Sequence, residues 1–207
     1  MLFFGCGGHS RSAADIYLEK YPENKLIFID ENASPQETIF GFPVLRSHPL
    51  VHPYFLAIGD NVKRLYMVQK VGKEGLVSIL SSKAHFGKES SVGKGCFIGN
   101  NVHIGPKAQI GLNTIVNNGA IIEHEVQIGN HCHIGPRAVI SGRSTIGDLS
   151  FIGVGAVVKD QVQICSNVIV GAGAVVVSTI DIPGVYVGCP AKKLRDLSSN
   201  EKFQSFA

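Results

Sequence analysis

The sequence has no tryptophan, and only 17% of its 207 residues are charged. Its formal net charge of +3 is small, and the basic residues are neither clustered nor interleaved with aromatic side chains, which argues against a nucleic-acid partner. No apolar run approaches the roughly 18 residues of a membrane-spanning helix, and the first residues lack the basic segment and long apolar stretch of a signal peptide. We therefore expect a cytoplasmic protein that does not insert into membranes.

Closely spaced cysteines are also missing. The chain has five cysteines, an odd number, and no two of them fall at a CxxC or zinc-site spacing. His131 and His133 lie close together, but no third ligand of suitable spacing follows from the sequence. We predict free thiols in a reducing compartment and no catalytic metal.

The chain is rich in glycine, at 24 residues, and an aliphatic or aromatic residue returns at every sixth position. A small or β-branched residue follows four positions later, and glycine often comes directly after the large residue. A helical period cannot produce this pattern. A β-segment and a turn, repeated three times per coil of about 18 residues, can produce it, with glycine supplying backbone freedom at the corners. The repeat is unbroken through Leu80, Phe86, Val92, Ile98, Ile104, Ile110, Val116, Ile122, Ile128, Ile134, Ile140, Ile146, Ile152, Val158, Ile164, Val170 and Val176.

The repeat resembles that of the hexapeptide-repeat acyltransferases over residues 80–177. The segment Gly188-Cys-Pro-Ala-Lys192 is similar to the one that closes the β-helix in that family. The resemblance implies a left-handed parallel β-helix, acetyl-CoA as co-substrate and a position for Lys192 near the coenzyme phosphates. A basic face on a solvated terminal helix is the alternative for Lys192, and we expect Ser198–Ala207 to be a frayed tail.

Residues 1–77 lack the repeat and have the alternating pattern of a small β/α unit. We predict strands at 2–4, 25–30 and 54–58 and helices at 12–20 and 62–70. A glycine-rich turn after the first strand and an acid after the second are features of dinucleotide-binding folds. Because the spacing departs from Gly-x-Gly-x-x-Gly and only half such a fold has room, we predict a Rossmann-like half domain that binds a nucleotide sugar rather than NAD. The β-helix acyltransferase domain then occupies residues 78–207.

Together the two halves resemble the sugar O- and N-acetyltransferases, which include sialic-acid O-acetyltransferases and UDP-4-amino-sugar N-acetyltransferases. In the latter, a Gly-His after the first strand, an acidic pair after the second and a glycine after the third bind the UDP-sugar. Ordinary turn glycines and strand-end acids are the alternative interpretation. The resemblance thus implies that the substrate contacts are Gly7, Gly8, His9, Asp30, Glu31 and Gly59, with Glu31 departing from the family's second acid.

The turn Glu123-His124-Glu125 departs from the usual composition of the repeat, because Glu123 stands where glycine is usual and a histidine follows between two acids. Acetyl transfer to an amine needs a group that accepts a proton near neutral pH, and histidine suits that role. We predict His124 as the general base. A carboxylate on its second ring nitrogen would fix the tautomer; the resemblance favours Glu125 over Glu123 for this and places Asn117 near the substrate.

The coil period predicts that Gly142 stacks on His124, and the resemblance implies that its amide binds the thioester oxygen. The resemblance also implies that His133, Val154 and Ala172 contact the coenzyme. His133 is half a coil from His124, so the two should face different sides of the prism. If both act on one acetyl group, the site lies between subunits, which agrees with the homotrimers of the family.

The leading hypothesis is therefore N-acetylation of a UDP-linked amino sugar by direct transfer from acetyl-CoA. O-acetylation of a sialic acid is the nearest alternative and uses the same base and coenzyme. A non-catalytic solenoid scaffold and a nucleotide-dependent oxidoreductase are further alternatives. The sequence leaves open whether residues 1–77 pack on their own β-helix or on a neighbour's.

Overall fold

The structure, a computed structural model, describes residues 1–201. Residues 202–207, which belong to the expected tail, lie outside the described part. Neither of its two α-helices combines the length and the apolar character needed to cross a bilayer, within residues 1–201.

The chain opens with a five-stranded sheet in the order β3-β4-β2-β1-β5. The strands β1, β2, β4 and β5 are parallel to their neighbours, and β3 pairs antiparallel with β4. The predicted strands and helices are present, but helix α1 begins at Gly8 rather than at residue 12, and the β3–β4 pair was not predicted. The elements are β1 (Leu2–Phe4), α1 (Gly8–Lys20), β2 (Ile27–Ile29), β3 (Thr38–Ile39), β4 (Phe42–Leu45), β5 (Tyr54–Leu56) and α2 (Asn61–Val71).

From Ile79 the chain forms a three-sided parallel β-solenoid whose strands pair with the strand 18 residues ahead, as in the pair Ile121 and Val139. Two of its sides are named by their outward residues, as the apolar face and the polar face, and the side that contacts the amino-terminal region is named the junction face. The junction face contains Ile79–Leu80, Phe97–Ile98, Ile115–Val116, His133–Ile134, Phe151–Ile152, Val168–Val170, Gly184–Val187 and Lys192–Arg195. The apolar face contains His85–Phe86, His103–Ile104, Ile121–Ile122, Val139–Ile140, Val157–Val158 and Val175–Val176. The polar face contains Ser91–Val92, Gln109–Ile110, Gln127–Ile128, Thr145–Ile146 and Gln163–Ile164.

The large residue of each six-residue repeat points into the prism, as predicted. From Ile98 to Val176 these side chains are buried in one continuous core, together with the small residues four positions later. In the first coil the same positions are more open, and Leu80 and Phe86 are 39% and 40% exposed. A column of buried methylenes at roughly 0.8 kcal/mol each is the main source of stability for the coils.

The glycines of the repeat have a different role from the one expected. We predicted that they give the corners conformational freedom, yet the left-handed corner positions are mostly taken by other residues, such as Lys107, Glu125 and Arg143. The repeat glycines instead allow the backbone of the next coil to approach. A Cβ on Gly105 would lie 2.7 Å from the backbone of Glu123, and one on Gly111 2.5 Å from that of Gly129.

One corner of the prism holds a buried ladder of hydroxyl and thiol groups. Thr114 Oγ1 donates to Gly129 O and accepts from Cys132 N, and Cys132 Sγ donates in turn to Gly147 O. Burial raises the pKa of Cys132 to about 12, so its thiol stays protonated and acts as a donor. The cysteines are free, as predicted. In the ladder, the thiol of Cys132 has the place that the hydroxyl of Thr114 has one coil earlier.

The amino-terminal region packs on the junction face of its own solenoid. Phe3 and Phe55 share one apolar cluster with Ile79, Phe97 and Ile115 of that face. In this structure of a single chain the amino-terminal region therefore contacts its own β-helix, and the carboxyl ends of its parallel strands lie beside the junction face.

The carboxyl-terminal strand contradicts one of the two interpretations given above for Lys192. Lys192–Arg195 form a strand that pairs antiparallel with Gly184–Val187, so the terminal-helix alternative for Lys192 is wrong. Ser199–Glu201 form a short 3-10 helix, held where Arg195 donates to both carboxylate oxygens of Glu201.

Candidate active site

The junction between the two parts of the chain gathers four of the predicted site residues. His133 Nδ1 lies 3.1 Å from the carbonyl oxygen of Gly59, and its Nε2 lies 3.4 Å from Nδ2 of Asn117. The ring of His9 lies 6.5 Å from that of His133, measured between centroids. Because a carbonyl only accepts, Nδ1 of His133 carries the proton and Nε2 holds the lone pair.

His9 is held at this junction by aromatic contacts. Its ring packs edge to face on Phe97, with centroids 4.8 Å apart. Within residues 1–201 its Nε2 is buried without a hydrogen-bond partner. Burial is the main reason that the pKa of His9 is lowered to about 3, so the ring is neutral. A buried, unsatisfied ring nitrogen of this kind is costly unless a ligand completes it.

The turn before α1 is open. A Cβ on Gly7, Gly8 or Gly59 would meet no atom within 4 Å, so space remains above all three. Gly7 is the N-cap of the 13-residue helix α1, and no side chain caps this end. Free amides at a helix N-terminus favour an anion.

A cavity of about 580 Å³ lies at the carboxyl ends of β1 and β2. Asp30 and Glu31 are on its wall, as expected for residues after the second strand. The side chain of Asp30 is committed to the turns, because it accepts from the amides of Cys6 and Asn32. Four basic side chains that sequence reasoning missed also line this cavity, namely Arg46, His48, Lys63 and Lys70.

The opposite side of the solenoid carries His124, at the corner between the apolar and polar faces. Its Nδ1 lies 3.1 Å from Oε2 of Glu125. Since a carboxylate accepts, this contact places the proton on Nδ1 and leaves the lone pair on Nε2. The predicted contact is therefore present, and it is made by Glu125 rather than by Glu123.

Gly142 lies directly against the free nitrogen of His124. A Cβ on residue 142 would be 2.6 Å from both Nε2 and Cε1 of the ring, and 3.2 Å from Oδ1 of Asp160. Asp160 is fixed by Arg143, whose NH2 group donates to both carboxylate oxygens. The stacking predicted from the coil period is confirmed, and the absence of a side chain at 142 makes room for the imidazole.

The two groups of predicted residues do not meet within one chain. His124, Glu125 and Gly142 are at the corner opposite the junction face, while His133 is on that face. Val154 and Ala172 stack at the corner between the junction and apolar faces, where Gly173 N donates to Val154 O. Val154 is 52% exposed. Lys192 is exposed on its terminal strand.

Sequence reasoning also missed Arg64, which is fully buried at the junction. An arginine in a short polar helix is normally solvated, and no pattern in the sequence distinguishes this one. Among residues 1–201, no group of three or more His, Cys, Asp or Glu side chains is arranged to hold a metal ion.

Family models match both parts of the chain. The PglD N-terminal domain matches residues 1–71, and the bacterial transferase hexapeptide repeat matches residues 107–142 and 143–178. A viral relative, the uncharacterized protein L142 of Acanthamoeba polyphaga mimivirus, is 34% identical over 99 residues. That match covers 46% of this chain, and the chain spans only 20% of the length of the viral protein.

Solved structures match nearly the whole chain. The acetyltransferase domain of PglB from Neisseria gonorrhoeae is 27% identical with a TM-score of 0.86, covering 93% of this chain and 98% of that one. It was also solved with acetyl coenzyme A. WeeI from Acinetobacter baumannii has the same identity, TM-score and coverage.

A third solved structure is a variant of perosamine N-acetyltransferase from Caulobacter crescentus, in complex with CoA and GDP-perosamine. It is 30% identical with a TM-score of 0.83, covering 94% of this chain and 96% of that one. The fold, the two family models and these relatives agree along the chain. The chain therefore belongs to the left-handed β-helix, hexapeptide-repeat acetyltransferases that begin with a PglD-type domain.

Proposed function

We propose that this chain transfers the acetyl group of acetyl-CoA to the amine of a UDP-linked amino sugar, with His124 as the general base. One observation carries the proposal: a carboxylate orients Nδ1 of His124, and the free Nε2 lies against a residue without a side chain. Relatives solved with CoA and a nucleotide-linked amino sugar support the reaction class.

The chemistry follows from this arrangement. The amine nitrogen attacks the carbonyl carbon of the thioester as Nε2 of His124 takes its proton, so a C–N bond forms without a covalent enzyme intermediate. Glu125 stabilises the resulting imidazolium. When the C–S bond breaks, the imidazolium returns the proton to the leaving thiolate. The amide of Gly142 would donate to the oxygen that becomes negative, a contact typically worth about 2.7–4 kcal/mol.

In this proposal residues 1–77 bind the nucleotide sugar and residues 78–207 carry the transfer chemistry. The uncapped start of α1 at Gly7 and Gly8 suits a diphosphate. His9, with its unsatisfied Nε2, suits a hydrogen bond to the same ligand. Asp30 and Glu31 border the cavity that would hold the nucleoside, and the cavity's basic residues would favour the anion.

We also propose that the protein is a homotrimer with each active site between two subunits. The outward residues of the polar face are Ser, Gln and Thr, and the amino-terminal region covers the junction face at Ile79, Phe97 and Ile115. The apolar face instead presents Ile121, Val139, Val157 and Val175, all partly exposed. Burial of such a stripe is favourable.

Packing three apolar faces around one axis has a consequence for the site. This face is bordered by the His124 corner on one edge and by the Val154 and Ala172 corner on the other. Around a three-fold axis, the first corner of one subunit meets the second corner of its neighbour. The base would then face a coenzyme held along Val154, Ala172 and Lys192 of the other subunit, beside His133 and Asn117.

Acetyl transfer tests the proposal directly. CoA thiol release is measured with UDP-linked and GDP-linked amino sugars and with sialic acid as acceptors. We expect turnover with the UDP-linked amine; turnover with sialic acid alone would contradict N-acetylation.

Glu125→Gln should lower kcat, whereas Glu89→Gln, which makes the same charge change at an equivalent left-handed corner position, should not.

A further inference from the structure

Arg64 is a buried cation with no acidic partner in contact. It lies in the first turn of α2, is 1% exposed, and ranks first among the fully buried side chains by volume. No carboxylate in the described range forms an ion pair with it. Taking a guanidinium out of water is expensive unless every donor is satisfied.

All of its hydrogen-bond partners are neutral oxygens, and they belong to two parts of the chain. Nε donates to Asn113 O at 2.9 Å, and NH2 donates to the carbonyls of His131 and Cys132 at 3.0 and 2.9 Å. These three carbonyls belong to turns of the solenoid. The remaining bonds go to the loop after β5 and to the first residue of α2. NH1 donates to Ile58 O and Gly59 O of the loop, and NH2 donates to Asn61 Oδ1 of the helix.

The two sets of partners meet at His133. Arg64 holds the carbonyl of Cys132, the residue before His133, at 2.9 Å and that of Gly59 at 3.3 Å. Nδ1 of His133 donates to the same Gly59 oxygen at 3.1 Å. Arg64 therefore fixes both the strand that carries this histidine and the acceptor that selects its tautomer.

The charge of Arg64 acts in the same direction. Burial and then Arg64 lower the pKa of His133 to about 4, against a smaller opposing effect of the bond to Gly59. The other titratable group whose ring faces it is His9, which is itself neutral. At neutral pH, Nε2 of His133 is therefore a lone-pair acceptor, and Nδ2 of Asn117 donates a long hydrogen bond of 3.4 Å to it.

We infer that Arg64 is a positioning residue of the transfer site, which holds His133 as the neutral Nδ1–H tautomer so that Nε2 can exchange its long hydrogen bond from Asn117 for one from a bound substrate. The inference rests on the proposed function of this junction. A lysine cannot replace Arg64, because an ammonium has only three donors and all are on one nitrogen. The planar guanidinium spreads its donors over three nitrogens, so it reaches the solenoid carbonyls and the loop after β5 at the same time. The substrate group that binds His133 would be an N–H or O–H donor.

The test uses the full-length chain with Arg64→Lys and Arg64→Met. The ring-nitrogen NMR shifts of His133 report its tautomer and protonation without requiring turnover. We expect the wild type to show a single Nδ1–H form between pH 6 and 8. Arg64→Lys should give a mixture of tautomers and raise KM for acetyl-CoA, the substrate assigned to His133, at least about tenfold, with a smaller change in kcat.

Val68→Ala is the matched control. Val68 is on the same helix and buried, but it packs in the cluster of Leu2, Tyr54 and Leu56 rather than in the Arg64 network. It should reduce stability and leave the His133 signals unchanged. The inference is overturned if Arg64→Lys keeps the wild-type signals, or if Val68→Ala alters them equally. Should Arg64→Met not fold, Arg64→Lys alone decides. Absence of acetyl transfer with every acceptor would count against the proposed function, whereas the NMR result still decides the role of Arg64.

Discussion

The substitution Gly142→Ala should displace the proposed base, His124, without destabilising the fold. The new Cβ would lie 2.6 Å from Nε2 and Cε1 of His124, whereas carbon contacts are favourable only at about 3.5–4.0 Å. The nearest atoms are side-chain ends of His124 and Asp160, whereas a Cβ on Gly105 or Gly111 would first meet backbone atoms of the next coil. The imidazole must therefore move by about 1 Å.

The magnitude follows from that displacement. A misplacement of about 1 Å at a reacting group costs on the order of 10²-fold in rate, and complete loss of a general base costs about 10²–10⁴-fold. We expect Gly142→Ala to lower kcat by about 100-fold. Gly142 does not have a left-handed backbone conformation, so alanine should leave stability unchanged or raise it by about 0.4–1 kcal/mol.

The assay is a double-mutant cycle on CoA thiol release, with urea unfolding of each variant. The amide of residue 142 survives in Gly142→Ala, so the oxyanion contact is retained. In the His124→Ala background the added methyl group meets no ring, and Gly142→Ala should then have no further effect. Wild-type rates in Gly142→Ala, or equal losses in both backgrounds, would refute the reasoning.

Other consequences of the structure are open to measurement. Val157→Lys on the apolar face should dissociate the trimer and abolish transfer, while Thr145→Lys on the polar face should leave the mass in sedimentation unchanged; a monomeric wild type would contradict this. His131 and His133 each have a pKa lowered to about 4 in the folded protein, mainly by burial. In the unfolded chain the pKa of each histidine is about 6.5, so below that pH the unfolded chain binds more protons than the folded protein. Stability is then fully present above pH 6.5 and falls by roughly 2 kcal/mol per histidine between pH 7 and pH 5; unfolding curves that do not change over this range would refute the burial argument. His9→Ala should weaken binding of the nucleotide sugar in calorimetry and leave CoA affinity unchanged, and a loss of CoA affinity instead would reassign His9.

The fold could be predicted because each coil repeats the same physical requirement. One large and one small residue must point inward in every six, and this requirement is also met around Glu123-His124-Glu125, where Ile122 and Val126 are buried. Only the glycine that usually follows the large residue is replaced there, by Glu123. The coil period also predicted that Gly142 lies on His124. The function of the glycines was not predictable in the same way, because the pattern does not distinguish left-handed geometry from close approach of the next coil.

The junction could not be predicted from the sequence. His9 and His133 are distant in sequence, and only the packing of the amino-terminal region on the junction face brings their rings together. Arg64 has no local signal, since its role depends on three carbonyls in two coils of the solenoid. The pairing of Asp160 with Arg143 beside Gly142 depends likewise on stacking two coils beyond His124.

The measurement that tests the central claim most directly is the initial rate of CoA thiol release from acetyl-CoA, with a UDP-linked amino sugar as acceptor, in wild type and His124→Ala. We expect rapid release that falls by at least about 10²-fold in the variant, with CoA affinity and the unfolding curve retained. Equal rates in the two proteins would contradict His124 as the base, and no release with any amine would contradict the proposed N-acetylation.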